Sequence, residues 1–266
     1  MIYYQLRLFI IFEQPFFMDR HFFNIAYNGT RFSGWQVQDN APSVQAAIEE
    51  ALTKLYSSKI SIIGCGRTDT GVHASDYFFH VDLEDRYNVK DLMYKLNLML
   101  GAEILIKSII GVEDDHHARF DATSRSYTYH LSLQKDPFRQ DQTYLFDQGG
   151  NIDFELLNKA ASLLLEFDEF FTFCKTHSDV TNYRCQLFES YWERVSEYDF
   201  EYHISANRFL RGMVRLIVGM CINVAIGKLD LEEVKSALST QSRLDRAWSV
   251  PAKGLFLTKV EYPYIE

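Results

Sequence analysis

The chain has 266 residues, with 27 Lys plus Arg against 36 Asp plus Glu, so its formal net charge is −9. Nucleic-acid-binding domains are usually basic, so this charge by itself argues against a nucleic-acid partner and against anionic membrane surfaces. The hydrophobic fraction of 47% is enough for a large core and excludes a disordered chain. The length predicts one large domain or two small ones.

The four cysteines are widely spaced and form neither a Cys-x-x-Cys pair nor a dense disulfide pattern. This usage favours free thiols in a reducing compartment, and we expect a cytoplasmic protein. The nearest approach to metal-ligand spacing is His116-His117 and the pair Cys174 and His177, and neither supplies the paired ligands of a zinc site. We therefore expect no metal.

Residues 1–17 precede the first well-patterned strand. Their apolar run, 8–12, has five residues, whereas a membrane span needs about 20. A small-residue cleavage site, which a secretory signal requires, is also missing. We expect no membrane association. Met18 stands directly before the strand, so we interpret it as the natural start and residues 1–17 as a dispensable extension.

The first half alternates between the two-residue period of strands and the 3.6-residue period of helices. Its predicted order is β-α-β-β-α-β, which is the order of a ferredoxin-like unit. Ser43, after Pro42, is a plausible N-cap for the first helix. In chain order the predicted elements are 22–27, 44–55, 60–64, 77–83, 89–99 and 104–112.

The second half repeats this order of elements after a connection near 113–124. Its predicted strands are 126–133, 187–195, 200–205 and 255–262, and its predicted helices are 154–167, 208–226 and 231–238. We predict an α+β fold of two ferredoxin-like halves, 18–117 and 118–266. A central cleft between the halves is then the natural place for a ligand site.

The densest polar signal is residues 64–74, Gly-Cys-Gly-Arg-Thr-Asp-Thr-Gly-Val-His-Ala, between the second and third predicted strands. Glycines in this loop permit positive φ and close approach of a ligand to the backbone. Their spacing fits neither a dinucleotide fingerprint nor a P-loop, and no nucleophilic serine elbow is present. Asp69 with Asp76 could form the carboxylate pair of a glycosidase, but no pattern fixes that pair. From the residues alone, Asp69 either caps backbone N–H groups in a polar hairpin loop or serves as a functional carboxylate.

The segment 66–74, G-R-T-D-T-G-V-H-A, resembles the signature of the TruA-type tRNA pseudouridine synthases. Further segments resemble that family in the same order along nearly the whole chain. They are 27–36 (Y-N-G-T-R-F-S-G-W-Q) with 43–45 (S-V-Q), 117–120 (H-A-R-F) with 125–129 (R-S-Y-T-Y), 209–215 (F-L-R-G-M-V-R) and 251–257 (P-A-K-G-L-F-L).

The resemblance implies a homodimeric pseudouridine-synthase-type fold that isomerises uridine in the tRNA anticodon arm, at positions 38 to 40 of tRNA numbering. It implies no metal and no other cofactor, because substrate and product are isomers. By resemblance Asp69 is the catalytic carboxylate and Tyr127 stacks on the target base. Arg67 and Arg215 match basic residues around the aspartate, and Leu255 matches an apolar residue of the pocket.

The residues themselves allow these roles. A carboxylate can be a covalent nucleophile, and a neighbouring Arg favours its charged form. Asp69 could attack C6 of the base or C1′ of the ribose, or remove a sugar proton. Tyr127 shares its strand face with Tyr129 and Leu131, so its pattern alone suggests a core residue. His73 either orients the loop or is an ordinary hydrogen-bonded structural histidine.

Arg208, Arg211 and Arg215 stand at i, i+3 and i+7 of the predicted helix 208–226, on one face. Such a basic stripe is usually a solvated surface. Arg215, however, is embedded among apolar residues, where an unpaired charge is costly. We therefore predict a salt bridge between Arg215 and Asp69 across the two halves.

Two other functions stay open. One is a non-catalytic RNA-binding protein or RNA chaperone with the same fold, and the other is a synthase that acts on a different RNA. The net charge is compatible with RNA, because phosphate contacts depend on local basic groups. Arginines 31, 119, 125, 208, 211 and 215 lie in or beside the matching segments, whereas 153–169 and 189–201 are acidic. We predict a positive cleft and a negative outer surface.

Overall fold

The computed structural model describes residues 18–147, 152–175 and 180–265. The predicted extension, 1–17, and His177 lie outside these ranges. The strands are β1 (Met18–Tyr27), β2 (Ile63–Gly64), β3 (His73–Glu84), β4 (Ile104–Gly111), β5 (Ser124–Ser132), β6 (Tyr144–Leu145), β7 (Leu187–Arg194), β8 (Asp199–Ala206) and β9 (Leu255–Glu261). The helices are α1 (Val44–Tyr56), α2 (Val89–Met99), α3 (Phe154–Leu163), α4 (Met213–Ala225) and α5 (Leu231–Thr240).

Short polar side chains cap α1 and α5, and the sequence predicts the first of these caps, Ser43. Ser43 caps α1 by accepting the Ala46 N–H at 3.2 Å. Asp230 caps α5 in a reciprocal capping box with Glu233. Within the described ranges, no helix is long and apolar enough to span a membrane.

The described strands form one sheet in the order β4-β1-β3-β9-β5-β8-β7, with β2 paired to β3 and β6 paired to β5. Strands β1 to β4 form one lateral half of the sheet, and strands β5 to β9 form the other half. The halves meet where β3 and β9 pair in parallel, with His73 opposite Phe256. β5 and β6 also pair in parallel, and the other pairings are antiparallel. The predicted mixed α+β class is therefore confirmed.

Two hydrophobic clusters fill the core, one around each set of strands. At the β3–β9 junction, each cluster contains residues from the other half of the chain. Val72, from the first half, is 2% exposed in the cluster of the second half. Leu257 and Val260, from the second half, are buried in the cluster of the first. The junction is therefore a continuous packed region, and the loop that carries Asp69 leads directly into it.

The predicted helix 208–226 is wrong at its start. Gly212 has φ +71° and stands as the N-cap of α4, which begins at Met213. A residue in the left-handed region cannot belong to a right-handed helix, so Arg208 and Arg211 precede α4. The predicted helical stripe of three arginines therefore does not exist, and of the three only Arg215 is helical.

Candidate active site

The loop that carries Asp69 is held by the segment that follows β1. The Trp35 N–H donates to the Thr68 carbonyl at 3.3 Å, and the Gly71 N–H donates to the Phe32 carbonyl at 3.3 Å. The Tyr27 and Thr68 hydroxyl oxygens lie 2.9 Å apart, in hydrogen-bond contact. The segment and the loop thus fix each other on both sides of Asp69.

Two glycines make this close contact possible. A Cβ atom at Gly29 would lie 2.0 Å from the Val72 carbonyl oxygen. A Cβ atom at Gly34 would lie 2.3 Å from the Thr68 carbonyl oxygen, and Gly34 also has φ +92°. Any side chain at either position would push the loop away from its support.

His73 anchors the end of the same loop. Its side chain is buried, with 1% of the residue exposed. Nδ1 accepts the Gly29 N–H at 3.1 Å, which requires Nε2 to carry the proton. Nε2 then donates to the carbonyls of Asp141 at 3.0 Å and Lys253 at 3.2 Å. Burial lowers the pKa of His73 and favours this neutral form. His73 is therefore a structural histidine that also joins the loop to the segment before β9.

Asp69 meets Arg215 from the other half of the sheet. Arg215 Nη1 lies 3.4 Å from Asp69 Oδ2, so the predicted ion pair is confirmed. Both side chains are mostly buried, at 19% and 26% exposure, but they keep contact with solvent. Within the described ranges the Asp69 carboxylate accepts no backbone N–H, which argues against a capping role.

The segment before β9 orients the Arg215 guanidinium. Arg215 Nε donates to the Val250 carbonyl at 2.7 Å, and the Val250 N–H donates to the Arg215 carbonyl at 3.3 Å. The Tyr129 hydroxyl holds the next carbonyl, of Pro251, at 2.9 Å. Arg215 therefore approaches Asp69 from a direction that backbone atoms define.

Tyr127 lies near the start of β5, opposite Ile204 on β8 and Leu257 on β9. It is half-buried, and the Phe209 ring meets it edge-on at 5.1 Å between centroids. Burial raises the pKa of the Tyr127 hydroxyl, and the charge of the nearby Asp69 carboxylate adds to this effect. Tyr127 thus lies within electrostatic reach of Asp69, whereas Tyr129, further along the strand, is a fully buried core residue.

Arg67 and Leu255 occupy different environments. The Arg67 side chain is exposed and makes no ion pair with any residue in the described ranges. It is therefore Arg215, and not Arg67, that neutralises Asp69. Leu255 begins β9 opposite Tyr129 and is 5% exposed in the core cluster of the second half.

The chain is similar to known proteins over most of its length. A family model described as tRNA pseudouridine synthase matches residues 163–263. The tRNA pseudouridine synthase A of Azobacteroides pseudotrichonymphae is 41% identical over 246 residues, which cover 92% of this chain and 98% of the relative. That of Porphyromonas gingivalis is 41% identical over 252 residues, with the same coverage. The enzyme of the same name from Staphylococcus saprophyticus is 33% identical over 240 residues, covering 89% of this chain and 88% of the relative.

The chain belongs to the tRNA pseudouridine synthase A family. It is therefore an RNA pseudouridine synthase, an isomerase. The resemblance seen in the separate sequence segments is confirmed over most of the chain.

Other groups that could do chemistry are buried or scattered. The four cysteines are free and buried, and burial raises the pKa of the Cys65 thiol to about 11. Across residues 18–147, 152–175 and 180–265, no group of three or more His, Cys, Asp or Glu side chains could hold a metal ion. Asp76, the alternative carboxylate, is bonded to Asn24 and to the Val260 N–H.

Sequence reasoning missed two parts of the site. The Val250 carbonyl stands one residue before the segment 251–257, and a backbone atom leaves no signal of its own in a sequence. Phe209 lies in the matching segment 209–215, but the resemblance assigns it no role. Its position in an irregular segment beside Tyr127 depends on Gly212, whose left-handed conformation could have been suspected from the glycine alone.

Proposed function

We propose that the protein converts uridine to pseudouridine in the anticodon arm of tRNA, with Asp69 as the catalytic carboxylate. The observation that carries this proposal is the Asp69–Arg215 ion pair at 3.4 Å, formed between the two sides of the sheet within the signature loop. The relatives are tRNA pseudouridine synthases by name, which supports tRNA as the substrate. The resemblance of the separate segments supplies the anticodon arm, positions 38 to 40.

The chemistry needs no redox partner. The N1–C1′ bond breaks and a C5–C1′ bond forms between the same two fragments, while C5 gives up its proton and N1 takes one up. Asp69 reacts with the target nucleoside as nucleophile or base, which requires its ionised form. The Arg215 guanidinium lies 3.4 Å from that carboxylate. Arg215 is held by Val250, so it can stay in place while the Asp69 carboxylate reacts.

The target base must leave the helical stack to reach Asp69, which costs a few kcal/mol. Tyr127 offers an aromatic face that recovers about 1–3 kcal/mol by stacking. Phe209 packs edge-on against Tyr127 and limits its motion. Leu255 contributes an apolar wall of the pocket, and the exposed Arg67 is available for a phosphate of the substrate.

The architecture in this proposal is two ferredoxin-like halves, 18–117 and 118–266. The strand orders support it. The order β4-β1-β3-β2 is a 4-1-3-2 arrangement, and β9-β5-β8-β7 is the same arrangement when the two-residue strand β6 is left out of the numbering. Assembly as a homodimer rests on the resemblance. A cytoplasmic location is supported by the four free, buried cysteines.

The test compares tRNA from cells that lack the protein with tRNA from cells complemented by wild type, by Asp69→Asn or by Asp85→Asn. Asp85 is an exposed carboxylate in the same half and serves as the matched control. We expect pseudouridine in the anticodon arm to return with wild type and Asp85→Asn and to stay absent with Asp69→Asn. Purified Asp69→Asn should still bind tRNA in a mobility-shift assay.

The alternatives give different outcomes. If Asp69→Asn restores pseudouridine, the catalytic role of Asp69 is wrong. If it restores growth without pseudouridine, an RNA-chaperone role is favoured. If the anticodon arm of tRNA keeps its pseudouridine when the protein is missing, the enzyme acts on another RNA.

A further inference from the structure

Arg125, near the start of β5, uses all of its hydrogen-bond donors on backbone carbonyls. A guanidinium has five N–H groups. Nε donates to the Cys65 carbonyl at 3.2 Å, and Nη2 donates to the carbonyls of Cys65 and Arg119, each at 2.8 Å. Nη1 donates to the carbonyls of Asn207 at 3.0 Å and Ala122 at 3.5 Å. One side chain therefore holds four backbone carbonyls.

These carbonyls belong to three segments that meet at the candidate site. Cys65 starts the loop that leads to Asp69. Asn207 lies two residues before Phe209, the ring that packs on Tyr127. The two remaining carbonyls lie in the linker that joins the halves. Arg125 thus connects the catalytic loop of the first half to the segment of the second half that supports the stacking tyrosine.

The balance of charge around Arg125 is unusual. No carboxylate in the described ranges forms a salt bridge with it, so its charge is balanced by carbonyl dipoles. A planar guanidinium can direct donors to several carbonyls at fixed angles, whereas a lysine ammonium is a single point of charge. Because its five donors are already used, Arg125 has none left for a phosphate. The expectation that it adds to a phosphate-binding track is therefore not supported.

We propose that Arg125 is a positioning residue that sets the location of the Asp69 loop relative to Tyr127 and Phe209. The proposal rests on Asp69 as the reacting carboxylate. Gly66, between Cys65 and Arg67, lies close to the guanidinium, since a Cβ atom there would be 3.9 Å from Arg125 Nε. The loop therefore contacts Arg125 at Cys65 and Gly66, a few residues before Asp69.

The experiment measures kcat, KM and tRNA affinity of the full chain with an unmodified tRNA transcript, for Arg125→Lys and Arg125→Ala. Displacing reacting groups by about 1 Å can cost about 100-fold in rate, so we expect kcat to fall 10- to 100-fold in both variants. Affinity for tRNA and its dependence on salt should stay at the wild-type values. Added guanidinium ion should restore part of the kcat of Arg125→Ala.

Arg211→Ala is the matched comparison for a phosphate contact, since Arg211 is exposed and forms no ion pair in the described ranges. It should weaken binding and reduce the slope of log affinity against log salt by about 1, with no response to guanidinium ion. If Arg125→Ala behaves in the same way, Arg125 contacts RNA and the proposal is overturned.

Two further outcomes also overturn it. One is a wild-type kcat for Arg125→Lys, and the other is a lower melting temperature with unchanged kcat, which would mark Arg125 as a purely structural residue. If Arg125→Ala does not fold, Arg125→Lys, which keeps the charge, decides the question. Asp69→Asn is assayed in parallel, because its activity alone tests the proposed catalytic carboxylate and is independent of the Arg125 result.

Discussion

Gly34→Ala should damage catalysis far more than its small size suggests. Gly34 has φ +92°, and an added Cβ atom would stand 2.3 Å from the Thr68 carbonyl oxygen and 3.1 Å from the Asp69 carbonyl carbon. Both contacts are with backbone, which cannot turn aside as a flexible side chain can. The methyl group therefore pushes on the loop at Asp69 itself.

The size of the effect follows from the geometry. Ordinary contact begins at 3.4 Å, so Thr68 must retreat by about 1.1 Å, which is 3.4 minus 2.3. A displacement of about 1 Å at a catalytic group can cost about 100-fold in rate. The strained backbone conformation adds about 1–3 kcal/mol of instability. For a chain of this size, each 1 kcal/mol lowers the melting temperature by roughly 2–4 °C.

The assay measures kcat for pseudouridine formation well below the melting temperature, together with the melting temperature itself. Gly227→Ala is the control, because Gly227 has φ +70° and no neighbouring atom within 4 Å of the added Cβ. Gly227→Ala introduces the same kind of backbone strain, but Gly227 follows the C-terminal end of α4, whereas Arg215 lies near the N-terminal end. We expect both variants to melt at a lower temperature and Gly34→Ala alone to lose about two orders of magnitude in kcat. Equal kcat values for the two variants would refute the argument that Gly34 sets the position of the loop.

Three other changes test separate parts of the molecule. Arg215→Lys should lower kcat by about 10- to 150-fold, because a charged hydrogen bond is worth about 1.5–3 kcal/mol. A lysine ammonium cannot keep both the Val250 and the Asp69 contacts. A wild-type kcat would contradict this expectation. Tyr127→Leu should lower kcat/KM by about 5- to 150-fold through the loss of about 1–3 kcal/mol of base stacking, whereas Tyr94→Leu, on the exposed face of α2, should leave it unchanged. Burial lowers the pKa of His80 to about 4, from 6.5 for an unperturbed histidine. Between pH 6.5 and pH 4, His80 therefore binds a proton in the unfolded chain but not in the folded chain. Stability should thus be complete above pH 6.5 and fall as the pH drops toward 4, and His80→Gln should reduce that fall in thermal melts from pH 7 to 4.5; an unchanged profile would remove His80 as its cause.

The net charge of −9 can now be related to the arginines that are free to contact RNA. Three of the arginines expected to attract RNA are already bonded within the protein. Arg31 pairs with Glu103 at 2.8 Å, Arg125 is saturated by carbonyls, and Arg215 pairs with Asp69. The positive cleft stays a prediction, and it depends on fewer cations. In the described ranges, the exposed arginines of the matching segments that lack an ion pair are Arg67, Arg119 and Arg211.

Local patterns determined most of the elements in this chain. Alternation, helical spacing and cap residues act over a few neighbours, so α2 was predicted at its observed bounds, 89–99, and Ser43 caps α1. The start of α4 was missed because one left-handed residue, Gly212, ends the local pattern. The signature loop and its order among the other segments were enough to single out Asp69 and to suggest the family.

Tertiary structure decided how those residues meet. The ion pair between Asp69 and Arg215 spans 146 positions of sequence, and it was inferred only from the cost of an unpaired charge. The support for it was not foreseen, because it consists of backbone carbonyls at Val250 and around Arg125, and a carbonyl is present at every residue. Sequence distinguishes side chains, whereas the direction of a carbonyl depends on the path of the folded backbone. The sequence alone therefore singled out Asp69 as the proposed reacting group, and only the fold showed what holds it in place.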